Sequence, residues 1–251
     1  MSSVWLRVSS RNLCRARGRL LLLALLSLAA CGTRGENSGG GAGPEMSEGK
    51  RKPPVVYVAL GDSTGVGVGA RKGGGYPARL LERIERARPG SRLVNLCVSG
   101  ATTSDVLRGQ AGRVGEARPT LVTLSIGIND VSRQVAPEQF ARNYEEIISR
   151  VREQTDAPLV ISNLPDIAQA PAVPAFLREE ANRRVNLFNN LIAEAAARHG
   201  LPLVDAYAKS RAVIPEHPDF FSPDGFHPSD EGYEFWAFEM WPTIKAAVGE
   251  E

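Results

Sequence analysis

The sequence contains few cysteines, histidines and aromatic residues. It has 3 cysteines and 3 histidines in 251 positions, and 6% of its residues are aromatic. The histidines, His199, His217 and His227, show no His-x-x-x-His spacing, and no Cys-x-x-Cys pair is present. These are the spacings that most zinc sites use. We therefore expect no metal and no cofactor.

A basic surface is also missing once the N-terminal segment is set aside. The whole chain has 30 Lys and Arg against 28 Asp and Glu. Five of the arginines fall in the first 19 residues, which contain no acid, so the remainder carries 25 basic and 28 acidic residues, a net charge of about −3. No basic cluster with interleaved aromatic residues remains, and we expect no nucleic-acid partner.

The N-terminal segment has the pattern of an export signal. Its basic region is followed by an apolar core over residues 20–30, which is too short to span a bilayer as a helix. Leu28-Ala29-Ala30-Cys31 resembles the bacterial lipobox, which implies a signal peptide over residues 1–30 and a lipid on Cys31. An ordinary secretory signal cut near Ala30 and an uncleaved anchor are the alternatives. The resemblance places the chain in the bacterial cell envelope, on the periplasmic or extracellular face of a membrane.

A flexible tether is expected between the lipidated cysteine and the folded domain. Residues 31–54 are rich in Gly, Ser, Glu and Lys, include Gly39-Gly40-Gly41, and end in Pro53-Pro54. In the mature chain Cys97 would be the only cysteine other than Cys31, so no internal disulfide is expected. Cys97 lies in an apolar segment, where packing is more common than reactivity.

Residues 55–249 alternate apolar runs with amphipathic helical stretches, as a single α/β domain does. The predicted strands are Val55–Leu60, Arg92–Val98, Thr120–Ser125, Leu159–Asn163 and Leu201–Val204. The predicted helices include Tyr76–Arg88, Pro137–Gln154, Pro174–His199 and a C-terminal helix whose core face carries Phe235, Trp236, Phe238 and Trp241. This order predicts a five-stranded parallel sheet with helices on both faces, a three-layer α/β/α sandwich of flavodoxin-like topology.

Polar residues follow the predicted strands, where the ligand crevice of such a sheet lies. Gly61-Asp62-Ser63 comes after the first strand, Ser99-Gly100 after the second, and Asn129-Asp130 after the third. A C-terminal segment adds Asp224-x-x-His227, a spacing that lets the carboxylate orient the imidazole towards a serine. Serine needs such a base to act as a nucleophile, together with donors such as the Gly100 N–H and the Asn129 amide for an oxyanion.

These four segments resemble the marks of the SGNH hydrolases, also called the GDSL esterase/lipase family. The resemblance implies that Ser63 is the nucleophile, His227 the general base and then acid, and Asp224 the orienting carboxylate. It implies an oxyanion hole made of the Ser63 and Gly100 N–H groups and the Asn129 amide. One departure lies just before Gly100: relatives often have a glycine two residues after the asparagine of this segment, whereas here Asn95 is followed by Leu96 and Cys97.

The glycines near Ser63 also match two other sequence patterns. Gly65-x-Gly67-x-x-Ala70 fits a dinucleotide-binding fingerprint, but no helix opens directly after it and no acid ends the second strand. Gly61-x-Ser63-x-Gly65 matches the nucleophile elbow of α/β-hydrolases, but that elbow follows several strands and this one follows the first. The many glycines between Thr64 and Gly75 have no role that the pattern explains.

The leading hypothesis is a lipid-anchored, monomeric serine esterase that hydrolyses carboxylic esters through an acyl-Ser63 intermediate. Its partners would be a small ester substrate and, through Cys31, the membrane. Lysophospholipids, thioesters and acetylated glycans all remain open as substrates. The alternative is a catalytically idle envelope protein that binds acylated ligands in the same crevice.

Overall fold

The computed structural model describes residues 52–250 of the chain. The predicted signal peptide, Cys31 and almost all of the tether lie outside the described residues. Among residues 52–250, no helix combines the length and the apolar character needed to cross a membrane.

Five parallel strands form one sheet in the spatial order β2-β1-β3-β4-β5. Each overlaps a predicted strand, and the bounds are β1 Val56–Gly61, β2 Arg92–Asn95, β3 Leu121–Ser125, β4 Leu159–Ser162 and β5 Leu203–Val204. The second strand is shorter than predicted because the Asn95 side chain accepts a hydrogen bond from the Cys97 N–H at 3.1 Å and turns the chain. The order places β2 and β3 on opposite sides of β1, so the chain changes direction across the sheet at β1.

Helices cover both faces of the sheet, which confirms the predicted three-layer α/β/α fold. They are α1 Ser63–Val66, α2 Tyr76–Ala87, α3 Thr103–Gly109, α4 Ile128–Ser132, α5 Pro137–Arg152, α6 Arg178–His199, α7 Ala206–Val213 and α8 Asp230–Ala247. The third predicted helix begins at Arg178 instead of Pro174, because a 3₁₀ turn over Ala175–Leu177 precedes it.

Side chains along β1 alternate between the two faces of the sheet and enter a separate core on each face. Tyr57 and Ala59 face a core shared with α2 and α8, whereas Val58 and Leu60 face the core shared with α3, α5 and α6. All four residues are fully buried, as expected for a central strand covered on both faces. This burial holds the carboxyl end of β1, and the serine that follows it, in a fixed position.

The face of the C-terminal helix was predicted incorrectly in one respect. Phe238 is 59% exposed, so it is not part of the core, whereas Trp236 is buried and stacks on Tyr76 with ring centroids 5.5 Å apart. The helix begins at the cap Ser229, whose hydroxyl accepts a hydrogen bond from the Gly232 N–H.

Candidate active site

The turn that carries Ser63 is fixed from both sides. The Asp62 carboxylate caps the short helix α1 by accepting hydrogen bonds from the Thr64 N–H at 2.9 Å and the Thr64 hydroxyl at 2.8 Å. Burial raises the pKa of the Asp62 carboxyl, and these hydrogen bonds act in the opposite direction. Gly61 lies so close to β3 that a Cβ there would be 2.5 Å from the Ser125 carbonyl oxygen. Only glycine fits, and the turn that carries Ser63 can therefore lie directly against the end of the sheet.

Gln110 holds the same turn through its side-chain amide, and no sequence motif indicates this role. Its Oε1 accepts a hydrogen bond from the Gly61 N–H at 2.9 Å, and its Nε2 donates to the Gly61 carbonyl at 2.8 Å. Gln110 is 1% exposed. One buried amide thus satisfies both backbone groups of the residue two positions before Ser63.

Ser63, His227 and Asp224 form a continuous chain of hydrogen bonds. The Ser63 Oγ lies 3.0 Å from His227 Nε2, and His227 Nδ1 lies 2.6 Å from Asp224 Oδ2. Ser63 is buried at the end of β1, and 164 residues separate it from His227 in the sequence. The arrangement is the one in which an imidazole can take a proton from a serine hydroxyl while a carboxylate fixes its tautomer.

The second oxygen of Asp224 is also held. Its Oδ1 accepts hydrogen bonds from the backbone N–H groups of Phe226 and His227 at 2.8 and 2.9 Å and from the Ser222 hydroxyl at 2.9 Å. Partial burial acts to raise the pKa of the Asp224 carboxyl, but the hydrogen bonds from His227, Phe226 and Ser222 outweigh it and lower the pKa to about 2. Asp224 is therefore ionised at neutral pH and can stabilise an imidazolium.

The expected oxyanion donors lie on loops that meet Ser63. The Val98 N–H donates to the Gly61 carbonyl at 3.1 Å, which joins the Gly100 loop to the turn that carries Ser63. Asn129 Nδ2 donates one hydrogen bond to the Ala101 carbonyl at 2.9 Å, leaving its second N–H for a ligand. Within residues 52–250 the N–H groups of Ser63 and Gly100 donate to no other group. They are available for an oxyanion.

A buried carboxylate holds the Asn129 loop against α3. Asp130 is fully buried and accepts hydrogen bonds from the Thr103 N–H at 3.0 Å and the Thr103 hydroxyl at 2.6 Å. Asn143 on α5 donates in turn to the Thr103 hydroxyl at 3.0 Å. This network fixes the loop after β3 relative to the loop after β2, and hence the two donors that those loops carry.

The glycine-rich loop after Ser63 is closely packed, and its contacts account for the glycines. A Cβ on Gly65 would overlap the Cys97 side chain, and a Cβ on Gly69, which has a φ of +95°, would lie 2.5 Å from the Pro228 carbonyl. The Asp230 carboxylate accepts hydrogen bonds from the Arg71 and Lys72 N–H groups at 3.1 Å. The loop thus joins the nucleophile turn to the start of α8. Burial raises the pKa of the Cys97 thiol, so Cys97 fills space and is not a thiolate nucleophile at neutral pH.

An apolar cavity opens beside Ser63 and His227. It runs between the loop after β4, α7 and α8, and its walls include Ile167, Ala170, Ile214, Phe226, Phe235 and Trp236. The aromatic residues of α8 were expected to be core, but Phe235 and Trp236 also line this cavity. No local motif marks a helix face as a cavity wall, so only the fold could reveal this role.

The other two histidines lie outside the site. His199 ends α6 and bonds Glu145 at 2.7 Å, whereas His217 stacks on Phe220 with ring centroids 4.6 Å apart. In the described part of the chain, no three His, Cys, Asp or Glu side chains are grouped as a metal would require.

Known proteins resemble this chain in sequence or in fold. Residues 59–235 match the GDSL-like Lipase/Acylhydrolase family. The chain is 24% identical to Esterase TesA of Pseudomonas aeruginosa, over 76% of this chain and 88% of that protein. It is 23% identical to Thioesterase 1/protease 1/lysophospholipase L1 of Escherichia coli K12, over 78% of this chain and 86% of that protein. The acetylxylan esterase Axe2 of Geobacillus stearothermophilus has the same fold, with a TM-score of 0.64 and 20% identity over 80% of this chain and 97% of that one.

Proposed function

Because the chain belongs to the GDSL-like Lipase/Acylhydrolase family, we propose that it is a serine esterase that hydrolyses carboxylic esters through an acyl-Ser63 intermediate. The observation that carries the proposal is the hydrogen-bond chain from Ser63 through His227 to Asp224 at the mouth of an apolar cavity. The similarity to proteins named Esterase TesA and Thioesterase 1/protease 1/lysophospholipase L1 supports the same proposal.

The mechanism follows from the positions of these groups. The Ser63 Oγ attacks the ester carbonyl carbon while His227 Nε2 takes its proton, and the N–H groups of Ser63, Gly100 and Asn129 bind the resulting oxyanion. His227 then gives the proton to the departing alcohol. A water molecule repeats the sequence on the acyl-serine, which releases the acid and restores the Ser63 hydroxyl.

The cavity favours an acyl group larger than acetyl. Its walls are almost entirely apolar, and it begins at Ser63, where the acyl carbon would be bound. Apolar surface of this kind favours a hydrocarbon chain by roughly 0.8 kcal/mol for each buried methylene group. The proposal therefore ranks fatty-acyl esters, lysophospholipids and acyl thioesters above acetylated glycans. The rate constant kcat/KM for p-nitrophenyl esters should rise from acetate to medium-chain acyl groups.

Replacement of Ser63 tests the assignment. Ser63→Ala should abolish hydrolysis of a p-nitrophenyl ester and leave the circular dichroism spectrum unchanged, since it removes a single oxygen atom. Ser149→Ala, an exposed serine on α5, is the matched control and should retain full activity. Undiminished turnover by Ser63→Ala would refute the proposal.

We also propose that the protein is a monomer held in the bacterial cell envelope by a lipid on Cys31. The support is the lipobox resemblance of residues 28–31 and the glycine-rich segment that follows. Metabolic labelling with a palmitate analogue should label the wild-type chain and not Cys31→Ala. Membrane partition that is unchanged in Cys31→Ala would contradict lipidation at that residue.

A further inference from the structure

Residues 171–177 form an uninterrupted apolar segment on the surface. The segment reads Pro-Ala-Val-Pro-Ala-Phe-Leu, and all of its residues are exposed except Val173, which is half-buried. Phe176 is 83% exposed, the largest value for any large apolar side chain in the described region. Scattered exposed apolar residues are ordinary, but a contiguous run of this kind marks a surface that is covered in use.

This segment lies at the mouth of the cavity beside Ser63. The Ala172 N–H donates to the Gly225 carbonyl at 2.9 Å, and Gly225 stands between Asp224 and His227. Just before the segment, Ile167 and Ala170 line the cavity. The apolar surface outside is therefore continuous with the apolar wall inside.

Two more exposed apolar side chains lie near Ser63, one at the end of α1 and one on the loop after β2. Val66, three residues after the serine, is 44% exposed, and Val98, whose N–H bonds the Gly61 carbonyl, is 55% exposed. Both follow strands that end at the same edge of the sheet. Apolar groups thus flank Ser63 on the side of β2 as well.

The backbone of the segment favours a lipid surface as the covering partner. Pro171 and Pro174 have no N–H, and the N–H groups of Ala172, Val173 and Leu177 are bonded within the protein. Among the described residues, only the adjacent N–H groups of Ala175 and Phe176, at the start of the 3₁₀ turn, have no acceptor. A strand-adding protein partner needs free donors at alternate positions of an extended segment, whereas a segment at a bilayer surface needs most of its donors bonded internally. Arg178 follows directly, and its Nε donates to the Val173 carbonyl at 3.3 Å, which holds the side chain against the segment and leaves its two terminal nitrogens for lipid headgroups.

We propose that residues 171–177 form a lipid-docking loop, in which Phe176 and Leu177 enter the bilayer surface and bring the cavity mouth to the lipid. The proposal rests on the proposed function in one respect: the cavity would receive the acyl chain of a lipid ester directly from the bilayer. The predicted tether has about 22 residues and could extend to roughly 75 Å, which is ample for the domain to turn this face towards the membrane.

Depth-dependent fluorescence quenching tests the docking without using activity. The full chain carrying Phe176→Trp is mixed with an excess of phosphatidylcholine/phosphatidylglycerol vesicles whose acyl chains are brominated. Phe238→Trp is the matched control, since Phe238 is also exposed but lies on the outer face of α8. Relative to wild type, the indole introduced at 176 should be quenched at least twofold more strongly than that at 238. Equal quenching of the two would overturn the proposal.

A second measurement compares an ester held in vesicles with a water-soluble ester. Phe176→Ser should lower the ratio of the rate on a vesicle-borne ester to the rate on a water-soluble ester by about tenfold, since burial of a phenylalanine ring is worth that factor or more. Phe238→Ser should leave the ratio unchanged. An unchanged ratio in Phe176→Ser, or an equal loss on both esters, would contradict docking. If wild type hydrolyses neither ester, the proposed function fails, and the quenching still decides the docking.

Discussion

Replacement of Gln110 tests the view that one buried amide holds the nucleophile turn. Gln110→Leu has nearly the same volume but removes the donor and the acceptor that satisfy the two backbone groups of Gly61. Each buried group left without a partner costs about 1–3 kcal/mol. Only the Gly61 N–H would be left without a partner, because the Gly61 carbonyl keeps the hydrogen bond from the Val98 N–H. We therefore expect a loss of about 1–3 kcal/mol in the free energy of unfolding, out of the roughly 5–15 kcal/mol that a domain typically has. Urea denaturation followed by circular dichroism measures it.

Gln110→Glu separates the hydrogen bonds from the shape of the side chain. The ionised carboxylate could still accept from the Gly61 N–H, but its other oxygen would face the Gly61 carbonyl, so burial and this contact would raise its pKa in the folded state. A raised folded pKa gives stability that is present below the unfolded pKa of about 4.3 and is lost as the pH rises through the folded pKa. Relative to wild type, Gln110→Glu should be nearly as stable at pH 4 and clearly less stable at pH 8.

Two results would show that Gln110 does not hold the turn. The first is a free energy of unfolding of Gln110→Leu that lies within about 0.5 kcal/mol of the wild-type value, since a change of that size is ordinary for a surface substitution. If the stability of Gln110→Glu relative to wild type does not depend on pH, the donor from residue 110 to the Gly61 carbonyl is unimportant. In both variants, kcat should fall more than KM changes, because the turn positions Ser63 and not the substrate.

Further predictions concern the rest of the site. Asp224→Asn should lower kcat by on the order of 10³-fold or more, because the amide cannot fix the His227 tautomer or stabilise its cation. Since the folded pKa of Asp224 is lowered to about 2, the stability that wild type gains over Asp224→Asn should be full above pH 4 and disappear as the pH falls through 2, as measured by urea denaturation at each pH. Gly65→Ala should cost about 1–3 kcal/mol in unfolding free energy by overlap with the Cys97 side chain, and adding Cys97→Gly should restore part of it. An undiminished loss in that double variant would show that the overlap is not the cause.

The layered fold could be predicted from the sequence because its signals are local. The continuous apolar run of β1 and the spaced apolar residues of α5, such as Phe140, Tyr144 and Ile148, report burial directly. Strand ends were less accurate, since the end of β2 depends on a side-chain hydrogen bond of Asn95 that periodicity does not report. Phe238 was misplaced because four aromatic residues within seven positions cannot all face inward on one helix.

The candidate site could be predicted only in part. Ser63, Gly100, Asn129, Asp224 and His227 were named from their motifs, and the structure brings the serine, the histidine and the aspartate into contact. The motifs indicate neither the role of Gln110 nor the position of the α8 aromatic residues in the cavity wall, because these residues contact partners that are distant in the sequence. Gln110 lies 49 residues from the glycine that it holds. The packing of the glycine-rich loop was equally non-local, since Gly69 meets Pro228.

Covalent labelling of the folded protein tests whether Ser63 is an activated nucleophile. A fluorophosphonate probe reacts with a serine that has an adjacent base and oxyanion donors, and not with ordinary serines. Mass spectrometry after proteolysis should find one adduct per chain, on Ser63, and none in Ser63→Ala or in protein unfolded in urea. Absence of an adduct on Ser63 in folded, soluble protein would contradict the account and favour a binding protein that has lost catalysis.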